Sequence, residues 1–79
     1  MKAFVYVTLK KSVLDPQGKT IQGALKKLGY SAVSDVRQGK YFELEIAGTD
    51  QQQAKTQVEK IAREVLTNPV IEEFHYSLE

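Results

Sequence analysis

The sequence predicts an α+β fold of order β-α-β-β-α-β: a four-stranded antiparallel sheet with two helices on one face. Three observations predict it. Apolar and polar residues alternate at period two in Lys2–Lys10 and again in Tyr41–Ala47. Two other stretches repeat apolar residues at helical spacing, each opened by an aspartate. The order of these stretches lets right-handed crossovers place both helices on the same side of one sheet.

The first strand turns Ala3, Val5, Val7 and Leu9 one way and Lys2, Phe4, Tyr6 and Thr8 the other. Lys10–Leu14 is a connection. Asp15-Pro16 opens the first helix, because Asp is a good N-cap and Pro at the first helical position loses no hydrogen bond. Ile21, Ala24, Leu25 and Leu28 follow as one apolar stripe, and Gly29 closes the helix from the C′ position. Gly18 and Gly23 inside the pattern suggest close backbone approach.

Ala32–Arg37 is predicted as a short polar strand. Gln38-Gly39 is its two-residue hairpin turn, with positive φ at Gly39. Tyr41–Ala47 is the return strand, with Phe42, Leu44 and Ile46 facing the helices. Thr49 with Gln52, or Asp50 with Gln53, fits a capping box for the second helix. Ala54, Val58, Ile61, Ala62, Val65 and Leu66 form that helix's stripe, and Asn68-Pro69 stops it. Val70–Leu78 is the last strand. The first and third strands are expected at the centre of the sheet. This is the split βαβ, or ferredoxin-like, arrangement, in a single domain over residues 1–79.

Composition excludes several functions. The 79 residues carry 11 Lys and Arg against 10 Asp and Glu, a net charge of +1, which gives no electrostatic case for nucleic acid or an anionic membrane. Cysteine is absent, so disulfides, thiolate metal sites and cysteine nucleophiles are excluded. No apolar run approaches the roughly 20 residues of a spanning helix, and no signal peptide is present, so a cytoplasmic domain is expected. His75 is the sole histidine and has no second ligand or adjacent serine in the pattern. Glu72-Glu73 point to opposite faces, and Glu43 with Glu45 reads as a solvated strand face. No catalytic constellation, metal site or cofactor is expected.

Contact surfaces are expected instead. The sheet face turned from the helices should be polar, yet it carries Phe4, Tyr6 and Tyr41, a self-association face. A chain this short hides a modest share of its surface, so oligomerisation is an expected source of stability. At the first helix N-terminus, the N–H groups after Asp15 either cap the helix or hold an anion.

Leu9-Lys10-Lys11-Ser12-Val13-Leu14-Asp15-Pro16-Gln17-Gly18 resembles the strand-to-helix segment of the PurS family, the small subunits of phosphoribosylformylglycinamidine synthase. Gly29-Tyr30 leading to Val36-Arg37-Gln38-Gly39-Lys40, then Phe42-Glu43-Leu44-Glu45, then Asn68-Pro69-Val70-Ile71-Glu72-Glu73-Phe74 are similar in the same order. The resemblance implies a non-catalytic subunit in purine biosynthesis that forms a homodimer or a dimer of dimers. It implies two partners, the glutaminase subunit PurQ and the synthetase subunit PurL, between which the subunit assists ammonia transfer. The loops expected to meet them are Asp15-Pro16-Gln17-Gly18, Arg37-Gln38-Gly39-Lys40 and Asn68-Pro69, because binding groups on such scaffolds sit in loops. Two alternatives share the expected topology. One is an ACT-like module sensing a small molecule. The other is an RRM-like RNA binder stacking bases on Phe4, Tyr6 and Tyr41, disfavoured by the charge balance and by Glu43 and Glu45 on that face.

Overall fold

The computed structural model describes residues 1–48 and 50–79. In chain order the elements are β1 (Lys2–Leu9), α1 (Pro16–Lys27), β2 (Gly39–Glu45), α2 (Gln51–Ile61), a π-helical turn (Ala62–Leu66) and β3 (Glu72–Leu78). The strands form an antiparallel sheet of order β2-β1-β3.

Among the described residues the sheet has three strands, not four, and this corrects the expected fold. Ala32–Arg37 is exposed apart from the half-buried Val36 and pairs with no strand. Its polar backbone finds other partners. The Asp35 carboxylate accepts the Val36 N–H at 2.9 Å, and the Ser34 carbonyl accepts the Gln22 side-chain amide at 2.7 Å. Short polar side chains that bond nearby backbone compete with a strand ladder, and Asp35 does so here. The hairpin therefore does not form, and β2 becomes an edge strand. Gly39 is its first residue and does not have positive φ, which among the described residues is confined to Gly29 and Gly48. Gly39 serves close approach instead. A Cβ there would lie 2.6 Å from the Val7 carbonyl oxygen.

The placement of both helices on the sheet is corrected as well. The core consists of Ala3, Val5 and Val7 from β1 packed on Val58 and Ala62, with Phe42, Leu44, Ile46, Leu66, Phe74, Tyr76 and Leu78 half-buried around them. No residue of α1 belongs to it. The long axis of the protomer is 49 Å. An eight-residue strand spans about 26 Å and a twelve-residue helix about 18 Å, so α1 continues beyond the end of the sheet rather than lying along it. The ACT-like and RRM-like alternatives rested on the four-stranded arrangement and lose that support.

Local signals hold where they are short-range. Asp50 caps α2, its carboxylate accepting the Gln52 N–H at 2.9 Å and the Gln53 N–H at 3.4 Å. The expected box of Thr49 with Gln52 lies outside the described residues. The end of α2 loosens into a π-turn as Thr67 donates both its N–H and its hydroxyl to the Ala62 carbonyl, the i→i+5 spacing that widens a helix.

Candidate functional site

β1 ends, β2 begins and β3 begins at one end of the sheet, where Thr8 pairs with Gly39 and Leu9 with Glu72. The three loops that sequence singled out meet at this end. Asp15 ties the first two together. One carboxylate oxygen accepts the Gly18 N–H at 3.0 Å and the other the Gln38 N–H at 2.7 Å. Only 4% of Asp15 is exposed. The Gln38 and Gly18 N–H groups hold its carboxyl below the usual value, against the opposing effect of desolvation and with help from the nearby Arg37 charge. Gly18 makes the approach possible, since a Cβ there would come within 2.0 Å of the Val36 carbonyl oxygen. Gly23, in contrast, meets nothing within 4 Å.

Arg37 closes the same corner, its guanidinium donating to the Lys10 and Val13 carbonyls at 3.0 Å each. A side chain in a loop expected to meet a partner thus spends one nitrogen on its own chain. Glu72 joins the third loop. Its carboxylate accepts the Asn68 N–H at 2.7 Å and lies 3.3 Å from the Lys40 ammonium. The Asn68 N–H, followed by the Lys40 contacts, keeps this carboxyl below its usual value despite desolvation. Sequence reading dismissed Glu72 as half of an ineffective pair. The signal that marks it is its i+4 spacing from Asn68 across a proline turn, in which the Asn68 side chain also accepts the Val70 N–H at 3.1 Å.

These loops border a cavity of about 500 Å³ lined by Val7, Leu9, Asp15, Pro16, Gln17, Gln38, Gly39, Lys40 and Glu72. Gly18, Arg37, Asn68 and Pro69 are not among the lining residues. The arrangement is a shaped surface. Its two carboxylates are each neutralised by N–H donors or an ammonium, and neither is poised as a general base. Among the described residues no group of three or more His, Asp or Glu side chains is placed to hold a metal.

The other candidate surface lies on the opposite face of the sheet. Phe4 stacks on Tyr41 with ring centroids 6.1 Å apart, and Tyr6 meets Tyr41 at 5.0 Å. Tyr6 and Tyr41 are about half exposed. The Tyr41 hydroxyl donates to Glu43 at 3.0 Å. Desolvation and that carboxylate push the Tyr41 phenol up to about 12, so it remains a neutral donor. His75, the cross-strand partner of Tyr6, is exposed beside them.

No helix is long and apolar enough to cross a membrane among the described residues. Comparison with known proteins places this geometry. The PurS subunit of phosphoribosylformylglycinamidine synthase from Bacillus subtilis is 46% identical over 78 residues, 99% of this chain and 92% of that one. The crystal structure of B. subtilis PurS superposes with a TM-score of 0.88 at 46% identity, covering 99% of this chain and 96% of the other. A chain in the structure of PurLQS from Thermotoga maritima superposes with a TM-score of 0.85 at 32% identity, over 96% of this chain and 94% of that one. The family profile described as PurS, phosphoribosylformylglycinamidine (FGAM) synthase, matches residues 2–79, and the chain belongs to that family.

Proposed function

We propose that this chain is the small, non-catalytic subunit of an FGAM synthase assembly. The assembly converts formylglycinamide ribonucleotide, ATP and glutamine into formylglycinamidine ribonucleotide during purine biosynthesis, a cytoplasmic pathway. The chain joins a glutaminase subunit, PurQ, to a synthetase subunit, PurL, and assists ammonia in passing between them. The observation that carries this reading is the convergence of Asp15–Gly18, Arg37–Lys40 and Asn68–Pro69 at one sheet end, pinned by Asp15 and Glu72. A docking surface made of loops gains specificity when its loops are held in place before the partner arrives. The superposition on a chain of the PurLQS structure supports the choice of partners.

The physical need is containment. Ammonia released into neutral water becomes ammonium, which is no nucleophile, so the handover must exclude bulk solvent. A subunit that seals two others together serves that need without chemistry of its own. The aromatic face of Phe4, Tyr6 and Tyr41 is assigned to self-association on this reading. The test is reconstitution: glutamine-dependent FGAM formation by PurQ and PurL is measured with and without this chain. A rate that does not depend on the chain defeats the proposal.

A further inference from the structure

Leu14, Val70 and Ile71 put apolar side chains into water at the loop end of the sheet. Leu14 is 66% and Val70 77% exposed, and Ile71 is exposed as well. They sit on two loops that meet, since the Lys10 N–H donates to the Ile71 carbonyl at 2.8 Å. Turns favour Gly, Pro, Asn, Asp and Ser, so Val70-Ile71 directly after Asn68-Pro69 is not what turn chemistry asks for. Nor are the loops loose. The Val13 N–H closes a turn on the Lys10 carbonyl at 2.9 Å, and Arg37 braces the carbonyls of both residues. The Asn68 carbonyl accepts the Ile71 N–H at 3.1 Å and the Glu72 N–H at 2.8 Å. The exposed side chains are thus held in place before any contact, which lowers the ordering cost of docking.

The charges at this corner are unevenly presented. Lys11, Arg37 and Lys40 are exposed and Lys10 is half-exposed. The ion pairs among the described residues are Lys2–Glu45, Lys19–Asp35 and Lys40–Glu72, so Lys10 and Lys11 keep their charges open. The carboxylates are mostly covered. Asp15 is buried, and the Glu72 side chain is 13% exposed beneath Lys40, which leaves Glu73 as the exposed one. An approaching molecule meets apolar side chains among cations.

We propose that the corner of Lys10, Lys11, Leu14, Val70 and Ile71 docks a segment of another subunit that carries apolar side chains flanked by carboxylates. The inference rests on the reading of this chain as a joining subunit and names the chemistry of the segment it joins. Charge complementarity fixes the occupant. The same corner of a second copy does not fit, because a two-fold contact would set Lys10 and Lys11 against their own images. A different surface of a second copy would make a head-to-tail contact, which generates rings or open chains of copies rather than a joint between unlike subunits. In the proposed contact Leu14 and Val70 supply affinity by burial, and the lysines steer and orient the acidic segment.

The test titrates the complete chain into PurQ mixed with PurL and reads the dissociation constant by calorimetry at low and high salt. For the unmodified chain, affinity is expected to fall as salt rises. Lys10→Glu combined with Lys11→Glu should weaken binding roughly tenfold at low salt and flatten the salt dependence. Val70→Ser should weaken binding by a similar factor, roughly tenfold, at both salt concentrations. All three side chains are on the surface, and circular dichroism with the Tm confirms that each variant folds. Binding by both variants equal to that of the unmodified chain overturns the proposal. Tighter binding by the lysine reversal overturns it too, because the facing segment would then be basic. So does a loss of self-association in sedimentation with subunit binding unchanged, since a second copy would then cover the corner. Failure of the unmodified chain to bind at all would instead defeat the proposed function, so the two failures are told apart.

Discussion

The Asp15 carboxylate and the Gln38 N–H, 23 residues apart in sequence, meet at 2.7 Å and lock the entry of α1 to the entry of β2. Together with the Gly18 N–H bond to the same carboxylate, it joins the first two loops at the sheet end.

Asp15→Asn keeps the size of the side chain but leaves one oxygen to serve two donors, with an NH2 group facing the other. A lowered Tm and faster amide exchange at Gly18 and Gln38 are expected. Glutamine-dependent activity should fall more than stability does, because the loops lose their fixed geometry. Unchanged exchange at both amides would show that the clamp is dispensable.

Acid has a defined effect. Asp15 and Glu72 both have carboxyls held below their usual values in the folded chain. Their stabilisation is complete above the unfolded-state values near pH 4 and is lost as pH falls through the lowered folded values. Denaturant midpoints should therefore be flat on this account from neutrality to about pH 5 and decline below it. In Asp15→Asn the acid slope should be shallower, and an equal slope would rule out Asp15 as a contributor.

Lys40→Glu separates assembly from stability. The Lys40–Glu72 pair is solvent-exposed on the lysine side, and such pairs contribute about 0–1 kcal/mol. The folded chain should lose little, while FGAM formation in the reconstituted assembly drops and returns in part with Lys40→Arg. Full activity in the charge reversal would remove this loop from the interface.

Gly18→Ala reports on close packing. Its methyl would sit 2.0 Å from the Val36 carbonyl oxygen, so the backbone must move. A loss of about 1–3 kcal/mol is expected in denaturant titration, as for other overpacked sites. Gly23→Ala, with open space around it, should instead gain a few tenths to about 1 kcal/mol.

Tyr6→Glu places a carboxylate beside Tyr41 and Phe4 on the aromatic face. Sedimentation should show a lower order of self-association. An unaltered profile would leave that face without a role in self-contact.

The positions of β1, α1, α2 and β3 were legible because their signals are local. Alternation in Lys2–Leu9, the caps Asp15 and Asp50, and the C′ glycine Gly29 with φ 97° each depend on neighbours a few residues away. Of the loops of the candidate site, the helix start at Asp15 stood out from its own residues, and the set of three was named through the resemblance. That residues of the first two loops line one cavity with Glu72 was not legible, since Asp15 meets Gln38 and Lys40 meets Glu72 across long stretches of chain.

By itself the sequence determined which segments bury an apolar side and where helices start and stop, since those depend on periodicity and on short side chains bonding nearby backbone. Tertiary structure alone decided that Ala32–Arg37 joins no strand and that α1 leaves its own sheet. An apolar stripe states that a helix must be covered. It does not state by what, because the hydrophobic effect has no direction and takes a neighbouring molecule as readily as the same chain.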